Sequence, residues 1–184
     1  RECRAILEGH TGPVRELAFH PDGKRLASAG GMRERGELKV WDIDTRKILH
    51  EWKERNIFFT DVAFRPNGKE LAATTNVVDH RFPLLGKLLI VDSDTGKEVR
   101  TLFNERGIAG LAYNPQENRL AVCSKFTIDV HSASTGRLTL KLRGHRDAVN
   151  DLVFSPDGKT VASAGQDGRV KIWDINVEQG ARTF

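Results

Sequence analysis

Short runs of apolar, β-branched and aromatic residues alternate with clusters of Gly, Pro, Asp and Asn along the whole chain. The run 149–154 ends at Ser155-Pro156-Asp157-Gly158. There proline presets φ and glycine accepts a positive φ, so a strand and then a turn are expected. Residues 160–164 read as a second strand and Gln166-Asp167-Gly168 as a tight hairpin connection. Residues 170–173 alternate about Lys171, as a third strand would. A fourth strand is expected after each such unit, at 47–52, 98–102, 137–142 and 181–184. No stretch sustains a helical period, and short strands punctuated by Gly and Pro predict an all-β architecture.

The pattern repeats. LAFHPDGKRLASAG begins at Leu17, VAFRPNGKELAATT at Val62, LAYNPQENRLAVCS at Leu111 and LVFSPDGKTVASAG at Leu152. Pro21, Pro66, Pro115 and Pro156 lie 45, 49 and 41 residues apart, the length of a four-stranded propeller blade. Gly9-His10 with Trp41-Asp42, and Gly144-His145 with Trp173-Asp174, resemble the signature of the WD-repeat β-propeller family. The resemblance covers the chain, strongly in the first and fourth units and in degenerate form in the second and third. It implies four blades of four antiparallel strands, with repeats near 4–52, 53–102, 103–142 and 143–184, forming part of a larger ring. Family members usually close six to eight blades. The chain starts at Arg1 without a Met, and residues 4–7 and 181–184 both have outer-strand character, so each end reads as cut in mid-repeat. The open faces are expected to meet the remaining blades of the same propeller or a second copy of the chain; a small closed four-bladed ring is the third arrangement.

Composition adds little to this. Charged residues make up 29% and the net charge is +4 with Lys and Arg scattered, which permits acidic partners without demanding them. No apolar run approaches the ~20 residues of a membrane-spanning helix, and no partner membrane is expected. Cys3 and Cys123 fit no metal or redox spacing and read as buried or half-buried free thiols, which points to a reducing, cytoplasmic setting. No cofactor or metal is expected; Asp79-His80 alone cannot make a site.

His145, Ser163, Asp167 and Trp173 could suggest a hydrolase triad. The resemblance implies a buried hydrogen-bonded chain instead, in which every donor and acceptor has a partner. Superposing the prolines puts Arg55, Ala73 and Val91 at the His, Ser and Trp positions of the second unit, and Asn104, Ala121-Val122 and Val130 at those of the third. Loss as a block is what a buried network predicts, because one missing partner strands the others. The first unit keeps His10, Ser28 and Trp41, but its second connection is three residues longer and places Arg35 at the turn position; Glu34 and Glu37 are the candidates to receive His10.

The resemblance also implies partner contacts at the loop before each first strand and the loop between the second and third. These map to Pro13 and Arg15, Phe58 and Thr60, Gly107 and Ala109, Ala148 and Asn150, and Gln166. Two longer connections add Arg33 and Arg35, and Arg81 and Phe82, residue types enriched at interfaces. Phe59 aligns with Val14 and Val149 and reads as core, whereas Phe58 reads as outward. The function expected is a non-enzymatic scaffold for other proteins or peptides. The alternative is a nucleic-acid-binding propeller using Arg15, Arg33, Arg35, Arg55 and Arg81, which interspersed glutamates oppose. No charged constellation for an active site around a central channel is apparent in the sequence.

Overall fold

A computed structural model describes residues 3–32, 35–77, 86–104, 107–116 and 118–176, with backbone alone at 103 and 104. Its strands form four antiparallel sheets, each in chain order. The first holds β1 (Val14–Phe19), β2 (Arg25–Met32), β3 (Arg35–Asp42) and β4 (Ile48–Arg55). The second holds β5 (Ile57–Phe64), β6 (Glu70–Val77), β7 (Gly86–Asp92) and β8 (Glu98–Asn104). The third holds β9 (Ile108–Tyr113), β10 (Arg119–Ser124), β11 (Thr127–Ser132) and β12 (Leu138–Arg143). The fourth holds β13 (Val149–Phe154), β14 (Thr160–Gly165) and β15 (Val170–Asp174); the outer strand expected at 181–184 lies outside the described residues.

The core lies between sheets, because each sheet is apolar on both faces and buries them against its neighbours. Leu38 and Val40 of the first sheet pack with Phe59, Val62 and Phe64 of the second. Leu88 and Ile90 of the second pack with Ile108, Leu111 and Tyr113 of the third. Ile128 and Val130 of the third pack with Val149, Leu152 and Phe154 of the fourth. Register shows that these are equivalent positions. Ala27 opposes Val40, Ala72 opposes Ile90, Ala121 opposes Val130 and Ala162 opposes Ile172.

The two outermost faces have the same composition, and among the described residues no further sheet covers them. Val14, Leu17 and Phe19 are 47%, 54% and 68% exposed, whereas their equivalents in the other three sheets are buried. Val170 and Ile172 are 74% and 68% exposed, whereas Leu38 and Val40, Leu88 and Ile90, and Ile128 and Val130 are buried. The four sheets thus form an arc with an apolar face at each end.

Several expectations are corrected. Residues 4–7 form no strand; they run along the open face of the first sheet near Phe19 and Leu26, where no neighbouring edge offers them a ladder. Cys3 is exposed, since that segment is not packed, whereas Cys123 is buried and its thiol is pushed up to about 12 by burial. The longer connection of the first unit is mostly strand: Gly30 pairs with Glu37, Gly31 with Gly36 and Met32 with Arg35. In the third unit the Ser position is Val122, opposite Leu111, and the Trp position is His131, not Val130. His131 opposes Leu120 as Trp41 opposes Leu26, because this hairpin turns tightly at Lys125-Phe126.

The candidate interaction face and the networks beneath it

In the fourth sheet the Trp173 indole N–H donates to Ser163 Oγ at 2.8 Å, and His145 Nε2 is 2.8 Å from the same oxygen. His145 Nδ1 lies 3.0 Å from both Asp167 oxygens, and the Arg146 backbone N–H donates to Asp167 at 3.0 Å. That backbone N–H first, and then His145, hold the Asp167 carboxyl down to about 2. The serine hydroxyl has two neighbours inside the protein and is buried. The arrangement links the loop before β13 to β14 and β15 through the shared serine oxygen.

The first sheet builds the same chain with a different acid. Trp41 donates to Ser28 at 2.7 Å, and His10 Nε2 is 2.6 Å from that hydroxyl. His10 Nδ1 is 3.1 Å from Glu37 Oε2, and Glu37 also accepts from the Thr11 backbone N–H at 2.8 Å and hydroxyl at 2.7 Å. Glu37 stands four residues before Trp41, on β3, whereas Asp167 stands six before Trp173, on a turn. The extended hairpin removes the turn, and the extra methylene of Glu spans the gap from the strand. Burial alone would raise the Glu37 carboxyl; the Thr11 N–H and hydroxyl, with Lys39 and His10, more than offset this and hold it below the usual range. Burial chiefly lowers the His10 imidazole.

A further signal in the sequence marks which units carry the histidine. The residue two after the Ser position is Gly30 and Gly165 in the units with a His, and Thr75 and Ser124 in those without. A Cβ at Gly165 would overlap the His145 ring, and one at Gly30 would overlap the Pro13 carbonyl.

Four of the loop positions assigned to partner contact share one structural feature. Every inner strand carries a β-bulge: the ladder skips between Val14 and Glu16, Phe59 and Asp61, Ile108 and Gly110, and Val149 and Asp151. The skipped residues are Arg15, Thr60, Ala109 and Asn150. A bulge re-aims the extra side chain away from the ladder. Arg15, Ala109 and Asn150 are exposed, as are Pro13 and Gln166, while Ala148 is half-buried and Gly107 buried. The structure brings two of these positions together: the Arg15 guanidinium carbon lies 5.1 Å from the centre of the half-buried Phe58 ring, a cation–π contact between the first and second sheets. Phe59 is buried. Thr60 is drawn inward, donating to the Ile108 carbonyl at 3.1 Å beside Thr74 at 2.8 Å. Arg35 is exposed at the top of β3. Arg33, Glu34, Asp79, His80, Arg81 and Phe82 lie outside the described residues.

Sequence reasoning missed the groups just inside the bulges. Glu16, Asp61 and Asp151 follow the bulged residues, and together with Thr60, Ala109, Gly110, Leu111 and Asn150 they line a cavity of about 370 Å³ at the hub. Burial pushes the Asp61 carboxyl up to about 6, although it accepts from the Leu111 N–H at 2.6 Å and the Val62 N–H at 2.7 Å. The expectation of no charged constellation at the hub is therefore corrected. Asp151 and Glu16 accept from the next backbone N–H in the same way, at 2.7 and 3.2 Å, so the three carboxylates cap bulge backbone. Among the described residues no group of His, Cys, Asp or Glu is arranged to hold a metal ion.

Antiparallel sheets of three or four described strands in series, with a His–Ser–Trp chain closed by an acid in the outer two, define blades of a WD-repeat propeller. The family model for the WD domain, G-beta repeat, matches residues 1–42 and 136–174, the first and fourth units. The chain belongs to the WD-repeat family, with strong repeats at its two ends and degenerate ones between. It is 30% identical over 172 residues to periodic tryptophan protein 2 homolog of Dictyostelium discoideum, covering 91% of the chain and 18% of that protein. It is 29% identical over 186 residues to nuclear distribution protein PAC1 of Arthroderma benhamiae, covering 95% of the chain and 38% of that protein. It is 27% identical over 183 residues to cell division cycle 20.6, cofactor of APC complex, of Arabidopsis thaliana, covering 91% of the chain and 39% of that protein. The chain thus spans between a fifth and two fifths of these relatives' lengths.

Proposed function

We propose that the chain is a binding scaffold rather than an enzyme, and that it receives other proteins or peptides on the face where its four inner strands begin. The observation that carries this reading is the row of bulges at Arg15, Thr60, Ala109 and Asn150. Four equivalent departures from the ladder fall at one face, three of them with exposed side chains at Arg15, Ala109 and Asn150, beside the aromatic anchor Phe58. A cofactor of the APC complex among the relatives accords with partner binding. The setting is the cytoplasm, and the open end faces take further blades of the same propeller or a second copy.

The test is capture of the natural partner from native cells, followed by titration with purified components. Arg15→Ala combined with Phe58→Ala should weaken binding about tenfold or more, since aromatic and Arg anchors carry most interface energy, while the melting curve stays nearly unchanged. Binding that survives this pair but depends on the opposite turns, at 21–23 and 156–158, would overturn the face assignment.

A further inference from the structure

The outer half of the first sheet carries a ladder of charges with one rung out of place. Lys39 opposes Glu51 and forms an ion pair with it. Glu37 opposes Lys53, and Lys53 Nζ also reaches Glu51 at 2.6 Å. At the top rung Arg35 opposes Arg55. Like charges directly opposite on antiparallel strands destabilise the pair, and no described acid forms an ion pair with either arginine. Neither guanidinium has an ion pair or hydrogen bond with a described residue, whereas the neighbouring Glu54 is engaged by Lys87 at 2.8 Å. The two arginines, with Lys53, Glu54 and Asn56, line an open groove of about 660 Å³.

We infer that this groove is an anion-receiving subsite, and that its occupant is a carboxylate side chain of an acidic peptide segment. Two arginines line one groove where no described acid pairs with either, and the fork geometry of arginine matches a carboxylate. The groove adjoins the proposed interaction face: Asn56, which lines it, immediately precedes Ile57 and Phe58 of β5. An extended polyanion fits less well, because Glu54 also lines the groove and would meet an adjoining phosphate. The inference rests on the scaffold reading and adds the chemistry of what is bound.

The probe is a fluorescein-labelled peptide of alternating Glu and Gly, followed by anisotropy on the full chain at low salt. The wild-type chain should bind it, and Arg35→Glu with Arg55→Glu should weaken binding about tenfold or more, because like-charge juxtaposition replaces attraction. The reversed variant should take up the corresponding Lys-Gly peptide instead. Arg55→Gln should also lose peptide affinity while melting at or above the wild-type temperature, since it relieves the repulsion; this separates lost recognition from lost folding. Equal binding by wild type and reversed variant, or no binding at all, would overturn the inference. So would tighter binding of an oligothymidylate with a steep salt dependence, which would assign the groove to nucleic acid. If the peptide ignores Arg35 and Arg55 while the natural partner is still lost on Arg15→Ala with Phe58→Ala, this inference fails and the scaffold reading stands. If the partner ignores Arg15 and Phe58, the scaffold face itself fails.

Discussion

At the scale of residues, the four-membered polar chain decides how a WD blade tolerates change. In the fourth sheet, removing the imidazole leaves the Ser163 hydroxyl and the Asp167 carboxylate each short of a partner inside the protein. His145→Ala should therefore cost about 1–3 kcal/mol, read as a lower melting temperature, with no loss of any hydrolytic turnover. Unchanged stability accompanied by loss of a hydrolase activity would reverse the reading. The resemblance picked out His145, Ser163, Asp167 and Trp173 from the sequence, because signature and spacing are regular there. It left the acid of the first unit open between Glu34 and Glu37. The answer depended on strand register: once β2 and β3 run on past Gly30, position 37 is a strand position facing His10, and only a Glu is long enough to reach it.

At the scale of elements, the bulge is the feature that the sequence concealed. Turn chemistry such as Ser-Pro-Asp-Gly is written in residue types, but a bulge is a mismatch between two strands and shows only when they are paired. The contact positions were placed from the resemblance alone; that four of them, Arg15, Thr60, Ala109 and Asn150, are the skipped residues emerged from register. The carboxylates after the bulges were overlooked for the same reason, since Glu16, Asp61 and Asp151 become neighbours only when the inner strands line the hub. Asp61 carries a pH signature. Its folded carboxyl titrates at about 6, above the ordinary Asp value, because burial penalises the charged form. The folded state then holds a proton that the unfolded state has released, so this stabilising contribution is complete at low pH and is lost as pH rises towards 6. Melting temperatures of wild type and Asp61→Asn, compared between pH 4 and 7, should diverge in favour of the variant as pH rises. A constant difference would mean that Asp61 titrates ordinarily.

At the scale of the whole molecule, the repeat made the architecture legible: four antiparallel sheets in series follow from four copies of one pattern. The third unit was shifted by one residue at its Trp position because proline superposition cannot see a shortened hairpin. What matters energetically is that both end faces repeat the composition of the buried interfaces. Phe19 stands where Phe64, Tyr113 and Phe154 are buried, and Ile172 where Val40, Ile90 and Val130 are. Such faces are stabilised by stacking on a neighbouring repeat. The isolated 184-residue chain is therefore expected to associate as its concentration rises, by light scattering, and Phe19→Asp with Ile172→Lys should suppress the association. A monodisperse, cooperatively melting monomer would contradict this.

The central claim, that the bulged face receives a protein partner, is tested most directly by hydrogen exchange of the chain with and without its captured natural partner. The account predicts slowed exchange in peptides covering 13–15, 56–60, 107–109, 148–150 and 166, with the turns at 21–23 and 156–158 unchanged. Protection confined to those turns, with the bulged face exchanging as freely as before, would contradict it.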